Sequence, residues 1–262
     1  MMVALLATVA TADAQQSGDP RVADLVRAGK LRVALFLPQY TKNPATGELR
    51  GNVVYMEVAR ALAARLGVEV QLVGYPTPPA VVECLKAGAC DVAFLGINPS
   101  RAAEVGFTPP LVLLPFTYLV PAGSSIRSVA DADRPGVRIA VVRHHESTLA
   151  LSRILKQANL VYAEAPDATF DLLRTGHADA MASTRSGLLE YSTKLLGSRV
   201  LEDDYGANLL AMAVPKHQAG RLAYFSEFIE EAKASGLVQR AIERAGRPGI
   251  RVAPPGNPTS QK

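Results

Sequence analysis

The chain has 262 residues, of which 48% are apolar and 20% charged, and its formal net charge is +4. This composition suffices for one large or two smaller globular domains, and it excludes a disordered or coiled-coil chain. Basic residues are scattered and not interleaved with aromatic ones, which argues against a nucleic-acid partner but is compatible with a small anionic ligand.

The amino terminus has the pattern of a signal peptide over residues 1–14. An apolar stretch from Val3 to Ala10 precedes an A-x-A pattern at residues 12–14, although the usual basic residues before it are missing. No later stretch approaches the roughly 18 apolar residues of a membrane span. We therefore expect the protein to be exported to the periplasm.

The next 65 or so residues alternate short apolar strands with helices, which is typical of a parallel sheet covered on both faces. The predicted elements are a strand at Leu31–Phe36, a helix with apolar residues every four positions from Val54 to Leu66, a strand at Val68–Val73, a helix from about Pro79 to Ala87, and a strand from Asp91.

A second unit repeats the first in order and spacing. Its predicted strands are Val137–Val142, Leu160–Ala163 and Ala178–Ala182, with helices near 147–158 and 167–175. The repeat is clearest in LKAGACDVAF (85–94) and LRTGHADAMA (173–182), where glycine suits a left-handed helix end and aspartate opens a strand. A duplicated α/β lobe predicts a ligand cleft between the copies.

A return segment completes the predicted domain organisation, with a strand at 208–214 and helices at 221–234 and 237–245. Crossings between the halves are expected near 113–115 and 211–213, so closure about a two-segment hinge is the predicted motion. Lobe 1 then comprises residues 30–113 and 212–246, lobe 2 comprises 114–211, and the proline- and glycine-rich residues 247–262 form a surface tail.

The chain contains two cysteines, Cys84 and Cys90, on either side of the expected turn at Gly88. In an oxidising compartment they either form a disulfide or remain two reduced buried thiols. The four histidines show no metal-ligand spacing with them, so neither a metal site nor a cofactor is expected.

Several short motifs occur in a specific order along the chain. They are KLRVALF (30–36), the Pro38-Gln39-Tyr40 loop, Gly51, Glu57, ARALAARLG (59–67) and FLGINPSRAAEVGFTPP (94–110). With these motifs, residues Lys30 to Ala245 resemble the type II periplasmic solute-binding proteins of amino-acid ABC transporters. This family is also described as the bacterial extracellular solute-binding proteins, family 3. The resemblance implies an α/β fold of two lobes, each a mostly parallel sheet flanked by helices, and a monomer that delivers its solute to an inner-membrane permease.

The resemblance also implies ligand-binding residues in lobe 1. Arg101 matches the arginine that grips a ligand carboxylate, a role suited to the planar fork of a guanidinium, although an exposed arginine at a helix start is the alternative. Gly96 and Asn98 accompany it in the pocket. Tyr40 is the best candidate for an aromatic side chain packed on the ligand.

In lobe 2 the corresponding loop is RHHEST, residues 143–148. Ser147 and Thr148 match a turn whose N–H groups complete the carboxylate pocket, although Ser147 also suits an ordinary helix N-cap. His144 and His145 either face the cleft, where they make binding depend on pH near about 6 to 7, or point outward.

Two departures from the family pattern concern the ligand's ammonium group. Thr184 stands where amino-acid binders carry an acidic residue, and Gly96 where a hydroxyl is frequent. A buried, unpaired ammonium is costly, so we expect an anionic carboxylate rather than a standard amino acid. Arg185, beside Thr184, strengthens this expectation, whereas Glu57 or Glu146 could supply the missing charge.

The predicted function is therefore a non-enzymatic periplasmic receptor of an ABC transporter. Three alternatives remain open: an amino-acid-binding protein with a non-standard ammonium site, a sensory or accessory periplasmic protein, and an enzyme similar to cyclohexadienyl dehydratase. In the enzyme, Glu146 or Glu57 with a histidine would serve as general acid and base.

Overall fold

The computed structural model describes residues 18–37, 40–42, 49–51, 53–246 and 248–256. The predicted signal peptide and the loop residues Pro38 and Gln39 lie outside these ranges. The side chain of Tyr40 is also outside the described part, so its contact with a ligand stays a prediction. Within the described ranges, none of the helices combines the length and apolar character of a membrane span.

Strands and helices alternate through the first half of the chain. In order they are α1 (Ala23–Ala28), β1 (Lys30–Phe36), β2 (Tyr40–Lys42), β3 (Leu49–Gly51), α2 (Val53–Leu66), β4 (Glu69–Tyr75), α3 (Pro78–Lys86), β5 (Val92–Gly96), α4 (Pro99–Glu104) and β6 (Val105–Val120). The short strands β2 and β3 pair with each other in a separate sheet.

The second half repeats this alternation and then returns to the first. Its elements are β7 (Arg138–Val142), α5 (Glu146–Ile154), β8 (Asn159–Ala163), α6 (Pro166–Arg174), β9 (Ala180–Thr184), α7 (Arg185–Ser192), β10 (Arg199–Val200), β11 (Gly206–Pro215), α8 (Ala219–Ala234), α9 (Leu237–Ala245) and β12 (Arg251–Val252).

One sheet runs through both halves of the described chain. Its main path has the order β4-β1-β5-β11-β6-β9-β7-β8, and β10 and β12 pair with β6 off that path. Strands β4, β1 and β5 are parallel, as are β9, β7 and β8, whereas the central pairs β5–β11, β11–β6 and β6–β9 are antiparallel. The fold is thus the predicted two-lobed α/β fold.

The long strands β6 and β11 connect the halves. Their register runs from Val105 opposite Pro215 to Phe116 opposite Gly206. It shifts on both sides of Ala211, which lies opposite Pro110, because prolines lack the N–H that a regular ladder needs. The Thr108 hydroxyl accepts a hydrogen bond from the Met212 N–H at 3.2 Å near this irregularity. The predicted crossings at 113–115 and 211–213 fall on these two strands.

The repeated phrase forms the same clasp in each half. Asp91 accepts hydrogen bonds from the Arg32 backbone N–H at 2.8 Å and from its guanidinium at 2.7 and 2.9 Å. Asp179 accepts from the Arg138 N–H at 2.8 Å and from its guanidinium at 2.8 and 3.2 Å. Each aspartate therefore ties the start of one strand to its parallel neighbour.

Helices cover both faces of each half and enclose the core. In the first half, α2, α8 and α9 pack on one face through Leu62, Phe225 and Ile242, and α3 packs on the other through Leu85. In the second half, α5 and α6 pack on opposite faces, α5 through the fully buried Leu151.

A disulfide joins Cys84 at the end of α3 to Cys90, with a Cα–Cα distance of 5.5 Å. The intervening Gly88 has φ of +67°, a conformation that glycine adopts without strain. Both cysteines lie in the apolar cluster beneath α3.

The end of the described chain pairs with β6, one of the two long strands that connect the halves. In β12, Arg251 and Val252 pair with Leu113 and Val112 of β6, within the segment expected to be a surface tail. The Arg251 guanidinium also contacts the Asp204 carboxylate at 2.7 Å. Backbone pairing and an ion pair therefore hold residues 251 and 252 of this segment on the sheet.

Candidate functional site

Arg101 lies just beyond the carboxyl end of β5, where ligands of open α/β sheets bind. Asn98 is the N-cap of α4, and its Oδ1 accepts a hydrogen bond from the Arg101 N–H at 2.9 Å. The Arg101 Nη1 donates to the Gly96 carbonyl at 2.9 Å, so the guanidinium folds back over the strand end. Within the described residues no carboxylate lies at ion-pair distance from it, and most of its donors remain available.

Asn208 on β11 is a neighbour of this arginine that sequence reasoning did not identify. A Cβ atom placed on Gly96 would lie 2.9 Å from the Asn208 Oδ1 and 3.3 Å from the Arg101 Nη1. The signal in the sequence is a polar residue opening the apolar strand NLLAMAV, but pairing with Gly96 requires knowledge of the sheet order.

The loop before α5 presents Arg143 and His144 to solvent. His144 has a φ of +58° and is exposed. The Arg143 Nε donates to the Glu164 Oε1 at 2.7 Å, and its guanidinium lies 5.0 Å from the centre of the Tyr162 ring. Arg143 is therefore engaged on the surface of this half.

His145, in contrast, is half-buried and caps α5. Its Nδ1 accepts a hydrogen bond from the Ser147 N–H at 3.3 Å and lies 2.7 Å from the Ser147 Oγ. Burial lowers the pKa of His145, and the charge of Glu146 acts in the opposite direction. An accepting Nδ1 carries no proton, so the cap requires the neutral imidazole.

Ser147 and Thr148 are buried, and they already have partners within the protein. The Thr148 hydroxyl donates to the Val142 carbonyl at 2.7 Å, and the Thr148 N–H donates to the His145 carbonyl at 3.0 Å. A carboxylate at this helix start therefore competes with existing hydrogen bonds. The binding role of these two residues stays a prediction.

We expect His145→Asn to weaken the pH dependence of stability. The folded-state pKa lies below the ordinary value of 6.5, so the unfolded chain takes up the proton first. The contribution of His145 is then complete above about pH 6.5 and is lost as the pH falls towards the lower folded-state value. Asparagine caps a helix without titrating.

Urea unfolding at about pH 5 and pH 7.5 measures this effect. The matched control is His217→Asn, because His217 is exposed and precedes a helix in the other half. Wild type and His217→Asn should lose more stability at low pH than His145→Asn does. Equal losses in all three proteins would contradict the assignment.

Two side chains bear on whether an ammonium is bound, Thr184 and Arg185, and both have partners within the protein. Thr184 is the N-cap of α7, and its Oγ1 accepts from the Gly187 N–H at 3.4 Å. Arg185 is buried and donates to the Leu201 and Glu202 carbonyls, both at 2.7 Å, so its guanidinium is engaged within the protein. A carboxylate, Asp204, neutralises it at 2.6 Å.

Glu57 is an unsuitable partner for a ligand ammonium. Its carboxylate forms an ion pair with Arg244 of α9, whose Nε donates to Oε1 at 2.8 Å. This arginine holds the pKa of Glu57 below its ordinary value. Among its described residues, the first half thus presents Arg101 without a committed acidic neighbour.

Two surface cavities lie away from this region. One of about 350 Å³ lies beside Arg32, Asp91 and Arg221, and another of about 690 Å³ lies beside residues 121–126 and Asp179. Both lie near the aspartate clasps, towards the opposite ends of the parallel strands from Arg101. In the described ranges, no group of three or more histidine, cysteine or acidic side chains is arranged to hold a metal ion.

Comparison with solved structures identifies proteins of the same architecture. An ancestral cationic amino acid solute-binding protein is 25% identical with a TM-score of 0.66, and the match covers 85% of this chain and 98% of that one. A second structure of that ancestor is described as a precursor of cyclohexadienyl dehydratase. The solute receptor for L-cysteine of Neisseria gonorrhoeae is 24% identical with a TM-score of 0.59, covering 87% and 94%.

A curated protein and a family model also match this chain. The virulence sensor protein BvgS of Bordetella bronchiseptica is 28% identical over 148 residues, which are 55% of this chain and only 12% of the sensor's length. The model of bacterial extracellular solute-binding proteins, family 3, matches residues 35–246. Because that model covers most of the sequence, the chain belongs to the bacterial extracellular solute-binding proteins of family 3.

Proposed function

We propose that this protein is a periplasmic receptor that captures a small carboxylate solute between its lobes and delivers it, as a monomer, to an inner-membrane ABC permease. The supporting observation is Arg101, which lies at the carboxyl end of β5 without an acidic partner among the described residues. A guanidinium in that position binds a carboxylate through two parallel hydrogen bonds. Lobe closure about β6 and β11 removes water and strengthens that pair.

The ligand of this proposal lacks an α-ammonium group. Thr184 is neutral, Glu57 is paired with Arg244, and the Arg185 charge is neutralised by Asp204. At these three positions a bound amino acid would find no free carboxylate for its ammonium, at a cost in desolvation free energy. An organic acid avoids this cost.

A thermal-shift screen with matched ligands tests the proposal. Each set contains an L-amino acid with the 2-hydroxy acid and the 2-oxo acid of the same side chain: alanine, lactate and pyruvate; glutamate, 2-hydroxyglutarate and 2-oxoglutarate; phenylalanine, phenyllactate and phenylpyruvate. We expect at least one acid to raise the melting temperature more than its amino acid, because tight binding stabilises the folded state. Stabilisation by amino acids alone would contradict the proposal.

A sensory role is the second candidate. It is supported by the similarity to BvgS, a sensor protein, over 148 residues. In a sensor the same lobe closure would control a partner domain instead of a permease. Co-purification of ligand-loaded protein with a reconstituted permease would favour transport, and a ligand response without transport would favour sensing.

An enzymatic role is supported by the likeness to an ancestor described as a precursor of cyclohexadienyl dehydratase. The candidate base Glu57 is paired with Arg244, and the candidate imidazole of His145 is held as a helix cap. Both arrangements favour binding over turnover. Recovery of an unchanged acid after incubation, measured by NMR, distinguishes the two roles.

A further inference from the structure

We infer that Asn208 determines which α-substituent the ligand carries, and that the ligand is a 2-hydroxy or 2-oxo carboxylate. This inference rests on the proposed function, because it takes the Arg101 guanidinium as the carboxylate site. Asn208 is assigned the role of reading the neutral polar group next to that carboxylate.

The Asn208 side chain lies next to Gly96 on the neighbouring strand. Strands β5 and β11 are neighbours, with Leu210 opposite Gly96 and the Ile97 N–H donating to the Leu209 carbonyl at 2.8 Å. The Asn208 side chain occupies the space beside Gly96, with Oδ1 2.9 Å and Nδ2 3.4 Å from the place of a Cβ atom. Any side chain at residue 96 would displace this amide.

The Asn208 amide is available to hydrogen-bond a ligand. Asn208 is half-buried, and its side chain makes no hydrogen bond with any residue in the described ranges. The same Gly96 Cβ position lies 3.3 Å from the Arg101 Nη1. An amide with free hydrogen-bonding capacity thus lies next to a guanidinium with free donors.

Arg101 and Asn208 together match a particular class of ligand. Arg101 binds a carboxylate, and an amide supplies one acceptor and two donors without charge. A neighbouring hydroxyl or carbonyl group matches that amide, because either can exchange a hydrogen bond with it. An ammonium would have a single neutral acceptor there, which is weaker compensation than a carboxylate for leaving water. The class that fits is a carboxylate with a neutral oxygen substituent at the α position.

Asn208→Asp is the decisive variant, because it replaces the amide by a carboxylate of the same shape. We expect isothermal calorimetry to show at least a tenfold change in the ratio of L-2-hydroxyglutarate to L-glutamate affinity, in favour of glutamate. Asn159→Asp is the control, because Asn159 begins the edge strand β8 and is exposed in the other half. It makes the same charge change and should leave the ratio unchanged.

A steric pair of variants tests the geometry without any ligand. Gly96→Ala should lower the melting temperature because the added methyl group meets the Asn208 Oδ1, and Gly96→Ala with Asn208→Ala should recover most of that loss. An equal loss in the single and double variants would overturn the placement of the amide.

The possible outcomes separate this inference from the proposed function. Binding of 2-hydroxyglutarate or lactate to wild type, with a ratio that Asn208→Asp does not change, overturns the role of Asn208 and leaves the carboxylate receptor intact. Binding of an amino acid to wild type, with no binding of any hydroxy or oxo acid in the matched sets, overturns both. Tight binding of a hydroxy or oxo acid, with the ratio shifted only by Asn208→Asp, supports both.

Discussion

Arg101→Ala should weaken binding of the best acid from the matched screen by about 10- to 100-fold in calorimetry. The expected size is that of hydrogen bonds between a charged donor and a carboxylate, about 1.5 to 3 kcal/mol. The α4 cap should survive, because Asn98 bonds the backbone N–H of residue 101 and not its side chain. Folding is therefore preserved while the carboxylate loses its partner.

Two further variants sharpen this test. Arg101→Lys keeps the charge but not the planar fork, so its affinity should fall between those of wild type and Arg101→Ala. Arg60→Ala is the matched control, since Arg60 is exposed on α2 of the same half. Wild-type affinity in Arg101→Ala would exclude the role, and an equal loss in Arg60→Ala would show a general electrostatic effect.

Asp91→Ala should reduce the free energy of unfolding by about 3 kcal/mol, whereas Asp179→Ala should cost about 1 kcal/mol. Both aspartates hold an arginine and its backbone N–H in the same geometry. Their surroundings differ, because the Asp91 side chain is 3% exposed and the Asp179 side chain 39%. Asp91 also faces Arg221, whose side chain is 4% exposed and donates to Asp91 Oδ1 at 3.2 Å.

The comparison separates burial from hydrogen bonding. Among the described residues, removing Asp91 leaves the buried Arg221 with the partly exposed Asp24 as its one acidic partner, while Arg138 can turn to water once Asp179 is gone. Urea unfolding of the two variants measures the difference directly. Similar costs for the two substitutions would show that the shared hydrogen bonds, and not the buried arginine, dominate.

The duplication was predictable because its determinants are local. Gly88 and Gly176 take positive φ angles where their helices end, and Asp91 and Asp179 bond the strand next to their own. Each copy therefore carries its own turn and its own aspartate within ten residues of sequence, whereas the arginine partners lie 59 and 41 residues away. Resemblance to the family supplied the rest of the fold class.

Features that depend on distant residues were less predictable. Helix α5 ends at Ile154 rather than near Ala158, because the Asp133 carboxylate accepts hydrogen bonds from the N–H groups of residues 156–158 at 2.8 to 3.1 Å. Strand β6 runs for 16 residues through prolines that normally interrupt strands. Neither result follows from apolar periodicity.

Within the candidate site, position along the chain identified Arg101 and Asn98 but not Asn208. The amide reaches Gly96 across two antiparallel strands that are more than 100 residues apart in sequence. The partners of Arg185 were also not predictable from the sequence, since Asp204 belongs to a segment beyond α7. Side-chain direction at such points is set by tertiary contacts that a pattern of residues does not encode.

The attachment of β12 to β6 has a mechanical consequence. Arg251 and Val252 pair with residues 113 and 112 of β6, so the carboxyl-terminal segment joins the molecule at one of the two strands proposed as the hinge. Lobe closure about that proposed hinge would move residues 251 and 252 little, whereas the fully exposed Leu196 lies outside the hinge strands and would move with its lobe. A fluorescent reporter fused after residue 256 would therefore disturb opening and closing less than one inserted at residue 196.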